Sequence, residues 1–139
     1  MTNMSGWSGV SELHAATAHL VETLTVASRE IVSVLAAKTE AGAKANFSGT
    51  HAKGQPHVGG SQPNIVSGNA RRQIMTDPVK GYGFGVFAAS VAPTAVYSRR
   101  LELGINGTGA YPFFTPAVNA TRKEAVAVAY KIWATALKL

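Results

Sequence analysis

Four histidines, one aspartate and six glutamates are the side chains here that could hold a metal or move a proton at neutral pH. His14 and His19 lie five residues apart inside a helical pattern, which sets them on different faces. A ligand pair on one helix wants a spacing of four. His51 and His57 lie in a stretch rich in Gly, Ser and Pro, and no carboxylate stands between Glu40 and Asp77 to complete a ligand set. Gly81, Gly83 and Gly85 invite a phosphate-loop reading. Such a loop, however, follows a strand and opens a helix with Lys-Ser/Thr or a further glycine at a fixed offset. These glycines fall inside an alternating strand pattern, where glycine marks a bulge or the close approach of another backbone. No serine has the setting of a nucleophile elbow, and no acid pairs with a histidine in a predicted turn. The chemistry-bearing residues thus give no enzyme, no cofactor and no metal site. Function has to be sought in surfaces.

The elements that would position those surfaces can be read in order. Val10, Leu13, Thr17, Leu20, Leu24, Ala27, Ile31 and Val34 recur every three or four residues, predicting one helix from Val10 to about Lys44. Its spacing averages near the coiled-coil value, and Ser8 or Ser11 could cap it. At 1.5 Å per residue it extends about 50 Å, long enough to clamp across a sheet or project to a neighbouring subunit. Ala41 to Ser67 has no sustained period and is expected to be a flexible loop or arm. Ser67–Thr76 reads as a turn into a short helix or strand anchored by Ile74 and Met75. Asp77-Pro78 opens a strand or hairpin, in which Lys80–Val91 alternates with Tyr82, Phe84, Val86 and Ala88 on one face. A final helix is predicted from Pro116 to about Lys138, with Trp133 as a core anchor. The expected fold is α+β: a long N-terminal helix and a C-terminal helix packed on a small antiparallel sheet, with one long flexible loop.

Composition bounds the class. With 139 residues the chain is expected to be a single domain. Charged residues make up only 14%, which suits a protein that buries surface against partners. The net charge of +6 raises nucleic acid as a partner, but the basic residues are scattered apart from Arg71-Arg72, Arg99-Arg100 and Arg122-Lys123. The absence of cysteine excludes disulfide scaffolds and thiolate metal sites. No apolar run approaches the ~18 residues of a membrane span, and MTNMSGWSG lacks the features of a signal peptide. The expectation is a soluble protein with no membrane partner that stays where it is made.

The segment Tyr97–Ala117, YSRRLELGINGTGAYPFFTPA, organises the rest. Tyr97 and Leu101 share a helical face, leaving Arg99, Arg100 and Glu102 free to reach solvent or a neighbour. Gly104 fits the left-handed position past a helix end, and Thr115-Pro116 reads as an N-cap and first helical residue. Pro112 and Pro116 fix the backbone around Phe113 and Phe114. Adjacent residues of an extended chain point to opposite sides, so one ring is expected inside and the other on the long helix or on the next subunit, unless both are buried in one subunit. Glu102 could pair with Arg99 or Arg100 of a neighbour. Tyr97, Arg99, Arg100, Glu102, Gly104, Phe113, Phe114 and Pro116 are the candidate interface residues.

This segment resembles the neck or tail-completion proteins of long-tailed siphophages, related to the minor tail protein Z of phage lambda. The recurring pattern there is a tyrosine, a glutamate-x-glycine, a variable loop and an aromatic proline-flanked turn into the last helix. Here these are Tyr97, Glu102-Leu103-Gly104 and Pro112–Ala117, and an earlier Gly-x-x-Arg-x-x-Ile segment is matched by Gly68, Arg71 and Ile74. Gln73 stands where the family usually has a small polar residue. The resemblance implies a structural virion protein, assembled in the host bacterial cytoplasm and located at the head–tail junction. It would form a six-fold ring of copies of itself between the connector and tail proteins, with genomic DNA passing through unread. A tail terminator ring capping the tail tube, and a basic DNA-binding module, are the alternatives.

Overall fold

The computed structural model describes residues 8–49, 59–105 and 109–139, and its fold is α+β. Helix α1 runs unbroken from Ser8 to Ala45, close to the range its periodicity predicts. Its threonines do not interrupt it, because Thr17, Thr23, Thr25 and Thr39 each donate the side-chain hydroxyl to the carbonyl four residues back. The C-terminal helix, numbered α4 in chain order, spans Phe114–Leu137 and returns antiparallel along α1. Three meeting points fix that direction. Gly42 lies against Ala117, Lys38 pairs with Glu124, and Ala136 lies beside Val26 and Ala27.

Between the long helices come α2 (Asn69–Arg72), β1 (Ile74–Thr76), β2 (Lys80–Gly81), β3 (Phe87–Ala88), β4 (Val91–Pro93) and α3 (Ser98–Leu103). The four strands form one irregular hairpin, so of the two expected forms, strand or hairpin, the chain takes the hairpin. β1 pairs antiparallel with β4, Ile74 opposite Pro93 and Thr76 opposite Val91. β2 pairs with β3, Lys80 opposite Ala88. Asp77–Val79 therefore face only Ala89 and Ser90, a bulge that accommodates Pro78, which has no N–H for a ladder. The chain reverses because Gly83, Phe84 and Gly85 all take positive φ, at 84°, 50° and 74°. The glycines adopt such angles freely, and Phe84 is carried with them.

The core gathers Ala43, Phe47, Ala70, Ile74, Phe113 and Ala117, with Val91, Leu101 and Phe114 partly buried beside it. Ile74 is an anchor as expected, but the next residue along the strand, Met75, faces outward and is 59% exposed. Two further expectations are corrected here. Ala41–Phe47 is not part of a loose arm: Ala41–Ala45 completes α1, and the segment delivers Ala43 and Phe47 to the core. Beyond it, Gly49 and Asn64 form a bridge, with the Gly49 N–H donating to the Pro63 carbonyl at 3.2 Å. Residues 50–58, including His51 and His57, lie outside the described residues. Trp133 is 41% exposed rather than a core anchor, because its end of α4 has α1 for a neighbour and no sheet over it.

Candidate functional site

The joint between α3 and α4 is built around one carboxylate. α3 ends at Gly104, whose φ of 66° and N–H to the Arg100 carbonyl match the expected left-handed stop. The chain then comes back to α3, and the Tyr111 N–H donates to the Leu101 carbonyl at 2.7 Å. That places the first turn of α4 directly over Glu102. Its carboxylate accepts from the backbone N–H groups of Phe113 at 2.8 Å, Phe114 at 3.0 Å and Thr115 at 2.8 Å.

Helix N-termini present such unpaired N–H groups together with the positive end of the helix dipole. Glu102 is thus the cap of α4, although it lies on another element. Burial tends to raise its pKa, but the bonds from Phe114, Thr115 and Phe113 outweigh that and hold the carboxyl below its ordinary value. This corrects one expectation: Thr115 is not the N-cap, since the helix starts at Phe114 after Phe113 and no side chain of the cap residue bonds to it. Within the subunit, both oxygens of Glu102 accept from the N–H groups of α4.

Phe113 is fully buried, its ring centroid 4.6 Å from that of Phe47 and its carbonyl accepting from the Asn46 side chain at 2.7 Å. It holds the subunit together and offers no surface. Phe114 is half-buried against the same core. Of the other expected interface residues, Tyr97, Arg99, Arg100 and Pro116 are exposed and Gly104 is half-buried. The Tyr97 hydroxyl accepts from the Asn69 side chain at 3.3 Å, which ties the start of α3 to the start of α2.

Near that tie, Arg71 and Arg72 on α2 and Arg99 and Arg100 on α3 are all exposed, and none is in an ion pair among the described residues. Beside α2 lies a cleft of about 440 Å³ lined by Lys44, Ile65, Val66, Gly68, Arg71 and Arg72. The two arginine pairs are visible in the sequence, but the link between their two helices is a contact 28 residues apart. A second feature, the hairpin tip, holds Tyr82, Phe84 and Val86 out from the body, with Phe84 fully exposed.

Among the described residues no cluster of three or more His, Cys, Asp or Glu could hold a metal. His14 and His19 are both exposed on α1. Glu40 is the other acid with a shifted pKa, lowered first by its bond from Lys44 and then by that from Thr76. Both shifted acids are structural and ionised at neutral pH. No described helix is long and apolar enough to cross a membrane. No family model, no curated protein and no solved structure matches the chain.

Proposed function

We propose that this chain is a structural virion protein forming a ring at the head–tail junction of a long-tailed bacteriophage. The observation that carries the reading is the way α1 outruns its own subunit. Every residue from Gly9 to Glu22 is exposed, although the apolar stripe that packs on α4 continues through Leu20 and Leu13. A helix that keeps a packing face without a packing partner suits a subunit completed by assembly. The exposed hairpin tip and the low proportion of charged residues support the same reading. So does the Glu102 joint, which makes the family-like segment a rigid corner rather than a catalytic pocket.

A ring of identical subunits uses heterologous contacts that close. Its natural neighbours would be the connector on the head side and the tail proteins on the other. Cryo-electron microscopy of the particle, with this chain traced in the map, tests the reading. Density for a closed ring at the neck is the expected result. Placement at the tail tip, in the capsid shell or outside the particle would overturn it, and placement on the tail tube below the neck would make the protein a tail terminator.

A further inference from the structure

We infer that the projecting N-terminal part of α1 docks on the arginine face of a second copy of this chain, beside the cleft at α2. The inference names the contact that the proposed ring would use and rests on that reading only for the ring's place in a particle.

The projecting segment has both an apolar face and a sign. Leu13, Leu20 and Leu24 continue the face that holds Ala27 and Ile31 against α4, at helical spacings of seven, four, three and four. Past Leu24 that face has no cover, and Leu13 is 66% exposed. Gly9–Glu22 carries Glu12 and Glu22 and no lysine or arginine. It is a short acidic rod, about 20 Å long at 1.5 Å per residue.

The opposite end of the same helix meets the opposite sign. Arg71, Arg72, Arg99 and Arg100 stand exposed on α2 and α3, and the nearby acids do not neutralise them. Glu40 is taken by Lys44 and Thr76, and Glu102 by the N–H groups of α4. Between the arginines and α1, Ile65 and Val66 supply apolar floor for leucine side chains. Apolar stripe on apolar floor and glutamate on arginine is the complementarity that fixes partner and register. Pairing two projecting segments with each other would instead set Glu12 and Glu22 against their own copies.

One acidic rod and one basic face per subunit make every copy both donor and acceptor, which generates a closed ring or an open filament. A rod about 20 Å long and about 10 Å wide covers a footprint of roughly 200 Å², well under the ~800 Å² per partner of a stable pair. Each contact is therefore weak alone and gains from closure.

The absence of cysteine makes a disulfide trap clean. Leu20→Cys and Val66→Cys are combined in one chain, and also made singly, then oxidised at high protein concentration. Within one subunit the two cannot bridge. Val66 lines the cleft with Lys44, about 36 Å along α1 from Leu20, and a disulfide needs Cα atoms within about 7 Å. The double variant is expected to give a ladder ending in a closed species, with both single variants monomeric. Arg71→Glu with Arg72→Glu should cut the ladder about ten-fold, and adding Glu12→Arg with Glu22→Arg should restore it.

Dimers from Leu20→Cys alone would show projecting segments pairing with each other and would overturn the inference. So would the absence of a ladder from the double variant. A ladder indifferent to the arginine reversals, with a salt-steep loss of duplex DNA binding in that variant, would assign the arginines to phosphate and also overturn it. A ring at the neck without the ladder would leave the proposed function standing and this contact refuted. A ladder from a protein found in no particle would do the reverse.

Discussion

From Ala36 to Ala45, α1 buries Ala36, Thr39 and Ala43, and Phe47 is buried just beyond its end; from Gly9 to Glu22 it buries nothing. Both halves carry helical periodicity and both lack proline and a break. What separates them is the company the rest of the chain provides. The C-terminal half is clasped by α4 on one side and by the hairpin on another, with Glu40 bonded across to Thr76. The N-terminal half continues after α4 has ended. Amphipathic spacing states which face of a helix seeks cover, and says nothing about whether the cover lies in the same molecule. The contrast can be tested directly, since substitutions in one half should act on folding and substitutions in the other should not.

The largest effect is expected at the packed end. Phe113→Ala removes a fully buried ring packed at a tilt against Phe47 at the point where α4 is pinned to α1. Truncations of this kind cost about 3–5 kcal/mol. A domain of this size has a total stability of about 5–15 kcal/mol, so much of it should be lost. Urea denaturation followed by circular dichroism measures it. A loss under 1 kcal/mol would show that the joint is looser than its geometry implies.

Gly42 gives a graded version of the same test. A Cβ there would come within 3.3 Å of the Ala117 Cβ, so the two long helices approach as closely as a hydrogen at this position allows. Gly42→Leu should cost about 1–3 kcal/mol by forcing them apart. Gly42→Ala should come out near neutral, because about 1 kcal/mol of helix propensity offsets one tight methyl contact. Equal effects of alanine and leucine would mean that the helices are not in register at this point.

Glu102→Gln should cost about 1 kcal/mol, the usual scale for a lost helix cap. The sign of its pH dependence follows from the lowered pKa. A carboxyl whose folded pKa lies below its unfolded value, near 4.3, contributes stability that is complete above that unfolded value. The contribution fades as pH falls through the folded pKa. Melting temperature measured from pH 6 to pH 3 should therefore drop more steeply for the parent than for Glu102→Gln. Glu40, also lowered, keeps part of the acid sensitivity in both proteins. Parallel curves would mean that Glu102 does not cap α4 in solution.

These sites also show what could be read from the sequence alone. The limits of α1, the start of α4 to within two residues and the glycine stop at Gly104 were legible, because each rests on local spacing or on one residue's backbone preference. The reversal at Gly83–Gly85 was not, since alternation continues through it and only the positive φ values reveal the turn. Nor was the role of Glu102, whose partners lie 11 to 13 residues onward across a loop. Of the two phenylalanines, sequence spacing indicated that one could be inside, but Phe47 decides which. The link between the helices that carry Arg71-Arg72 and Arg99-Arg100 was hidden too, because it rests on Asn69 meeting Tyr97.

The smallest effect on folding is expected at the other end of α1, and it makes the comparison sharpest. Leu20→Ser replaces a leucine on the same apolar face as Ile31, yet Leu20 is 46% exposed where Ile31 is 7% exposed. In the isolated subunit the change removes little packing, so the remaining cost is a few tenths of a kcal/mol of helix propensity. Ile31→Ser, eleven positions along, should cost several times more, since it strips a buried side chain and leaves a hydroxyl in its place. Melting both variants beside the parent at low protein concentration measures the folding difference. Repeating the melts at high concentration measures what the folded subunit keeps that face for. If Leu20→Ser destabilises the dilute protein as much as Ile31→Ser, its face is already covered within one chain and the contrast between the two halves of α1 disappears. If it is silent when dilute and lowers the melting temperature only at high concentration, the leucine belongs to an interface between subunits.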